Sequence, residues 1–248
     1  LSLSNFAYSW NHYLLPHQID GQDYSYPNDF DLWISDGPGD VGNEPDTDAP
    51  NIWLGDVWNC KNSQNCTTPE NMEYKAIGNN YARVKVQNRG CNTSPPADLH
   101  IYWTRARTGE IWDDHWLDPQ VEPSNVINGC PGGGEITANA NATPVPLTIP
   151  PLAPGGSITM TRAWKPQNPT CYPLGSGGIF DGQGNPMVCL LARIVSPNDP
   201  MANEQMGNIK PNVVENNNIA TRNFYLMDLN PLDNIIFGGP IYVSHALE

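Results

Sequence analysis

Apolar and polar residues alternate with period two along several stretches of this chain, and almost nowhere recur at the i, i+3, i+4, i+7 spacing of an amphipathic helix. In Tyr81-Ala82-Arg83-Val84-Lys85-Val86-Gln87 the small apolar set Ala82, Val84 and Val86 alternates with Tyr81, Arg83, Lys85 and Gln87. Successive strand residues point to opposite faces, so this run predicts a strand with one face in a core. Residues 98–104 repeat the pattern, with Leu99, Ile101 and Trp103 on one face and His100, Tyr102 and Thr104 on the other. Residues 157–164 offer Ile158, Met160 and Trp164 to the core after the turn Ala153-Pro154-Gly155-Gly156. Segments 188–195 and 219–229 read as more continuously apolar strands, and 31–35, 52–58, 146–149 and 235–243 as weaker ones.

Strands parted by long, turn-rich connections without helical crossovers predict an all-β antiparallel β-sandwich with long loop insertions. The long loops are 36–51, 105–145 and 165–187; loops of this length in compact domains are usually functional or stapled. The chain divides into residues 1–30, an N-terminal extension packed on the sandwich, 31–229, the sandwich itself, and 230–248, a C-terminal segment read as an extra edge strand. Its last two residues, Leu247-Glu248, read as a tag scar.

Composition sharpens this picture. The 25 Pro and 22 Gly among 248 residues exclude a helix-dominated fold. Against 26 Asp and Glu stand only 12 Lys and Arg, a formal net charge of −14. So acidic a chain lacks the basic footprint that phosphate backbones require, which argues against a nucleic-acid partner, and anionic membrane surfaces repel it. No apolar run is long enough to span a bilayer, so no membrane insertion is expected. Six cysteines, Cys60, Cys66, Cys91, Cys130, Cys171 and Cys189, include no C-x-x-C pair, which favours disulfides over zinc. Cys60 and Cys66 are spaced to close a short loop. Cys171 with Cys189 and Cys91 with Cys130 would then complete one connectivity among many. Disulfides and sparse lysine together suit a secreted or cell-surface protein.

A run of short signatures carries a resemblance. These are Asp31-Leu32-Trp33-Ile34-Ser35-Asp36, Val84-Lys85-Val86-Gln87-Asn88-Arg89-Gly90, Leu99-His100-Ile101-Tyr102, and Ile149-Pro150-Pro151-Leu152-Ala153-Pro154-Gly155-Gly156-Ser157 followed by Ala163-Trp164-Lys165-Pro166. The last is Glu215-Asn216-Asn217-Asn218-Ile219-Ala220-Thr221-Arg222. In this order, across 31–229, they resemble the successive signatures of CARDB-type domains, immunoglobulin-like sandwich modules of bacterial and archaeal secreted or surface proteins associated with adhesion by name. The resemblance implies a non-catalytic extracellular module and carries over no catalytic residue. Stretches 36–80, 105–145 and 165–187 exceed the short turns of a plain module. Physically, Gly90 is expected to supply a positive φ at a strand end, and Asn216 to Asn218 to fold their amides onto neighbouring backbone groups.

Three groups of residues are candidate sites. The segment 36–48 could offer calcium hard oxygens from Asp36, Asp40, Asn43, Glu44, Asp46 and Asp48, although the EF-hand spacing is missing; the alternative is a solvated acidic loop. Trp53, Trp58, Trp112 and Trp116 could stack on sugar rings, with Trp112 and Trp116 the best exposed candidates, although for these two loop anchoring against the sandwich is the favoured role. Asp113, Asp114 and His115 could form an acid/base group, and His12, His17 and Asp20 a weak metal set, yet no H-E-x-x-H, G-x-S-x-G or phosphate-cradling motif occurs. The expected function is therefore a non-catalytic adhesion or spacer and presentation module of a larger secreted or surface protein, partnered by protein or polysaccharide at a cell surface and by neighbouring domains. It requires no cofactor beyond the candidate structural calcium. The alternative is a carbohydrate-binding module using exposed aromatics.

Overall fold

A computed structural model describes residues 17–19, 22–24, 30–37, 40, 55–74, 80–106, 111–116, 126–127, 129–137, 145–201, 204, 207 and 209–228. Its strands are β1 (His17–Ile19), β2 (Gln22–Tyr24), β3 (Leu32–Trp33), β4 (Val57–Lys61), β5 (Met72–Tyr74), β6 (Asn80–Asn88), β7 (Ala97–Arg105), β8 (Val126–Ile127), β9 (Cys130–Pro131) and β10 (Gly133–Glu135). They continue with β11 (Leu147–Ile149), β12 (Ser157–Trp164), β13 (Met187–Val195) and β14 (Ile219–Asp228); a short helix, α1 (Ile209–Glu215), precedes β14, and Trp112–Trp116 forms one wide helical turn. Most of the predicted strands of 31–229 are found within a residue or two of their expected bounds. The weak candidate at 52–58 is displaced, because β4 starts only at Val57 and runs on to Lys61. The segment 235–243 lies outside the described residues, as does most of both terminal segments.

Two sheets face one another. The larger runs β10–β7–β13–β14–β5, with β11 also pairing β7; the smaller runs β12–β6–β3, with β4 also pairing β6. All these pairings are antiparallel except β14 with β5, which is parallel, a departure from the fully antiparallel expectation. Ala82, Val84 and Val86 from β6 are fully buried against Leu99, Ile101 and Trp103 from β7 and Val188, Leu190 and Ala192 from β13. Each Val, Leu or Ile among them, taken from water into this layer, contributes about 1.5–3 kcal/mol. Trp103 and Trp164 meet across the sandwich with ring centroids 6.1 Å apart.

The turn residues work in ways that only partly match their sequence reading. Gly156 N donates to Ala153 O at 2.8 Å, and Gly155 has φ +69°, so Pro154-Gly155 occupies the centre of a type II turn. Gly90 is needed for a different reason from the one expected: its φ is not positive, and a Cβ there would fall 2.2 Å from Phe30 Cα. The three asparagines also reach farther than their neighbours. Asn216 Nδ2 donates to Asn212 O at 3.1 Å, but Asn217 Nδ2 donates to Asp31 Oδ1 at 3.0 Å and Asn218 Nδ2 to Leu32 O at 3.0 Å. Buried Asp199 completes this lock by accepting from Leu32 N at 2.9 Å and Asn218 Nδ2 at 3.2 Å. A short strand with two residues of pairing is thereby fixed to Asp199 and to the turn that precedes β14.

Candidate functional site

Chemistry-bearing side chains gather in three places, and the first is the acidic turn after β3. Asp36 is buried, its N donates to Asp40 Oδ2 at 3.1 Å, and Ser35 Oγ donates to Gly37 O at 2.9 Å. Asp56 joins from the start of β4, with N donating to Ser35 O at 2.7 Å. Its carboxylate lies 3.7 Å from Lys85 Nζ and accepts from Gln87 Nε2 at 3.1 Å. Burial pushes the Asp56 carboxyl above the usual carboxylate range, opposed by Lys85. Among the described residues no group of three or more His, Cys, Asp or Glu is arranged to hold a metal ion. Asn43, Glu44, Asp46 and Asp48 lie outside the described residues, as do Trp53, His12, Asp20 and the side chain of His17.

The second place is the wide turn Trp112–Trp116, where the two indoles anchor the loop on the sheet, as favoured, and are not exposed for stacking on a sugar. Trp112 and Trp116 are buried, at 7% and 0% exposure, in a second apolar cluster on the outer face of the larger sheet. Tyr102, Met187, Cys189, Leu191 and Ile219 of the sheet and Ile209 and Val213 of α1 complete it. Trp112 packs edge-on to Tyr102 with centroids 5.0 Å apart, and the Arg193 guanidinium lies 5.3 Å from the Trp112 ring. The physical reason is area: a sheet face carrying Tyr102, Cys189 and Leu191 must be covered, and two indoles bury more surface than any other pair of side chains. His115 serves this turn locally, because Ile111 N donates to its Nδ1 at 2.7 Å, while Asp114 is exposed. The Asp113 side chain lies outside the described residues. Trp58 is half-buried on the outer face of the smaller sheet, with the Arg83 guanidinium 5.0 Å from its ring and Arg83 Nη1 donating to Cys66 O.

The cysteine pairing also differs from the sequence expectation. Cys60–Cys66 is bridged as anticipated, but the second disulfide joins Cys130 to Cys171. Cys189 faces the second apolar cluster, donating to Asn223 Oδ1, and exposed Cys91 lies beyond both bridges, so the pairs 171–189 and 91–130 are not formed. The reason is topological: Cys189 points from β13 to the outer face, away from the sandwich end where the two longest insertions meet. That end is also held by Arg105, which is 1% exposed and lies 5.3 Å from the Tyr172 ring and 5.2 Å from the Phe180 ring. Gly178 allows the close approach, since a Cβ there would sit 2.6 Å from Arg105 Nε. Burial pushes the Tyr172 hydroxyl above its ordinary value, and it donates to Pro131 O.

A third group was not anticipated from the sequence. Across the outer face of β10, β7 and β13, His100 Nδ1 lies 2.8 Å from Glu135 Oε1, and Arg193 contacts Glu204 through Nη1 at 2.8 Å and Nη2 at 2.9 Å. His100 stacks on Tyr102 at 6.1 Å, and burial, then the Glu135 charge, raise the Tyr102 phenol. Strand pairing sets His100 directly beside Arg193, an adjacency that only the fold reveals; the polar parity of His100 and Tyr102 in β7 was its one sequence signal. Chemically the group is a polar rim of one imidazole, one guanidinium and two carboxylates beside the covered aromatics, suited to hydrogen bonding.

No family model matches the chain, and no curated protein matches it in sequence. Among solved structures, the chain is similar to the CARDB domain of a Pyrococcus furiosus protein, solved in complex with di-metal ions. That likeness has 14% identity and a TM-score of 0.33, covering 69% of this chain and 91% of that one. It is also similar to a crustacean hemolymph-type prophenoloxidase at 12% identity and a TM-score of 0.35, covering 68% of this chain and 27% of that one.

Proposed function

We propose that this chain is a non-catalytic module of a larger secreted or surface protein, one that adheres to, spaces or presents neighbouring domains. The observation that carries the reading is how the longest insertions spend their chemistry. Trp112, Trp116, Arg105 and the Cys130–Cys171 bridge, the groups best suited to ligand or reaction chemistry, fasten those insertions to the sandwich. Two disulfides suit an oxidising compartment, and no described helix is long and apolar enough to cross a membrane. Calcium enters the proposal only as a stiffener of the 36–48 loop.

The test is retention of the purified chain on intact cells and on insoluble polysaccharides, in calcium and in chelator. Retention on cells but not on polysaccharides, unchanged by chelator, is the expected result. Binding to a purified polysaccharide would sink the adhesion and spacer reading in favour of a carbohydrate-binding module. A melting temperature that chelator leaves unmoved would remove the structural calcium.

A further inference from the structure

The smaller sheet ends on β12, and the direction of its backbone groups follows from two hydrogen bonds on β6. Asn88 N donates to Gly156 O at 2.9 Å, on the β12 side, and Lys85 N donates to Asp56 O at 2.9 Å, on the β4 side. Antiparallel pairing alternates along a strand, so even-numbered residues of β6 bond to β12 and odd-numbered ones to β4. The register Ile158↔Val86, Met160↔Val84, Arg162↔Ala82 and Trp164↔Asn80 then commits those four β12 residues to β6. The N–H and C=O groups of Ser157, Thr159, Thr161 and Ala163 point the other way, to an edge that no described strand pairs.

Exposed edges are normally guarded by lysine, proline, a bulge or shortness. This one is thinly guarded: β12 is eight residues long, pairs β6 without interruption and contains neither Lys nor Pro, and its one protective charge is Arg162, which the register sets opposite core-facing Ala82. Two core-facing side chains on it, Ile158 and Met160, are only partly buried, unlike Ala82, Val84 and Val86 in the next strand. Val145, whose carbonyl accepts from Arg162 Nη2 beside this edge, is 62% exposed. Among the described residues, backbone donors and apolar side chains are thus left open along the same line.

We propose that this edge pairs with the same edge of a second copy of the chain, extending the smaller sheet across a two-fold axis at Met160. Charge and register both select that occupant. A chain of net charge −14 repels a copy of itself over most of its surface, whereas β12 carries no carboxylate and a single cation, Arg162. With the axis at Met160, Thr159 meets Thr161 of the second copy, Ser157 meets Ala163, and Arg162 meets Ile158. Every outward backbone group finds a partner and no like charges oppose. The interface covers Ile158 and Met160, which the isolated sandwich leaves half-open.

Sedimentation or light scattering across the micromolar range tests this on the whole chain. The wild type is expected to dimerise reversibly, and Thr159→Lys and Thr161→Pro to be monomeric with unchanged melting temperatures, since both alter only the outward edge. In a Cys91→Ser background, Met160→Cys should oxidise to a covalent dimer, because self-facing residues of a non-hydrogen-bonded antiparallel pair have Cα atoms about 4.5 Å apart, within disulfide reach. Thr159→Cys, facing Thr161, should not. A wild type that stays monomeric overturns the proposal. So does a dimer indifferent to both edge substitutions, or a monomer whose Thr159 and Thr161 amides already resist hydrogen exchange, which would mean the chain covers its own edge.

Discussion

The outer faces of the two sheets are built alike and finished differently. Along β6 burial alternates residue by residue, whereas β7 buries Ile101, Tyr102, Trp103, Thr104 and Arg105 in succession. The difference lies in what the insertions supply: the turn Trp112–Trp116 and helix α1 lay an apolar layer over Tyr102, Leu191 and Ile219, while Tyr81, Arg83, Lys85 and Gln87 stay half-exposed. A strand whose outward residues turn apolar is therefore reporting a third layer. One face has become part of the core, and the other remains a surface.

The strongest way to break this contrast is to remove the cap. Trp116→Ala should cost about 3–5 kcal/mol, the usual penalty for emptying a fully buried indole site, read as a lower urea midpoint at constant slope. Ser157→Ala, exposed on the open face, should stay within about 0.5 kcal/mol. A Trp116→Ala penalty as small as that of Ser157→Ala would mean that the cap rests on the sheet without packing into it.

The disulfides sharpen the same contrast at the next scale. Cys130–Cys171 closes a separation of 41 residues between the two long insertions, and Cys60–Cys66 closes 6 residues on the open face. Loop-closure entropy assigns the first about 4 kcal/mol and the second about 2 kcal/mol. Paired serine substitutions, Cys130→Ser with Cys171→Ser against Cys60→Ser with Cys66→Ser, should reproduce that order in thermal melts. The reverse order would show that the short loop beside Trp58 and Arg83 holds the sheet, and that the long insertions are held chiefly by the buried Trp and Arg contacts.

The layers were legible in the sequence and the cap only in part: anchoring by Trp112 and Trp116 could be read, but the face they cover could not, for a physical reason. Period-two alternation reports a single buried face, so 81–87, 98–104 and 157–164 identified their strands and the inward parity of Leu99, Ile101 and Trp103. Nothing in a local window says whether the opposite face will be covered, because Trp112 and α1 arrive from elsewhere in the chain. The same limit explains the cysteines: spacing found the bridge six residues apart, but Cys130 and Cys171 meet only because two insertions converge at one end of the sandwich. Helix α1 escaped notice because it is seven residues long with Pro211 at its third position, too short to show a helical period. The His100, Glu135, Arg193 and Glu204 group needs three strands and a loop to exist at all.

The smallest effect belongs to the open face itself, at Asp56. Burial raises its carboxyl above the ordinary 3.8, while attraction to and hydrogen bonding with Lys85 lower it and Asp40 raises it again. A raised carboxyl binds its proton more tightly in the folded than in the unfolded chain. Its contribution is thus most favourable below the unfolded value and is lost as pH rises through the folded value, so stability falls with pH across that window. Asp56→Asn keeps an acceptor for Gln87 Nε2 and removes the charge, so the slope from this group should vanish. At neutral pH the variant should match or exceed the wild type by less than about 1 kcal/mol, as befits a partly exposed pair. Urea midpoints measured from pH 4 upward decide it. If Asp56→Asn instead loses stability at neutral pH, the Lys85 pair outweighs the burial of the carboxyl, and the open face is held together by its charges in a way the capped face is not.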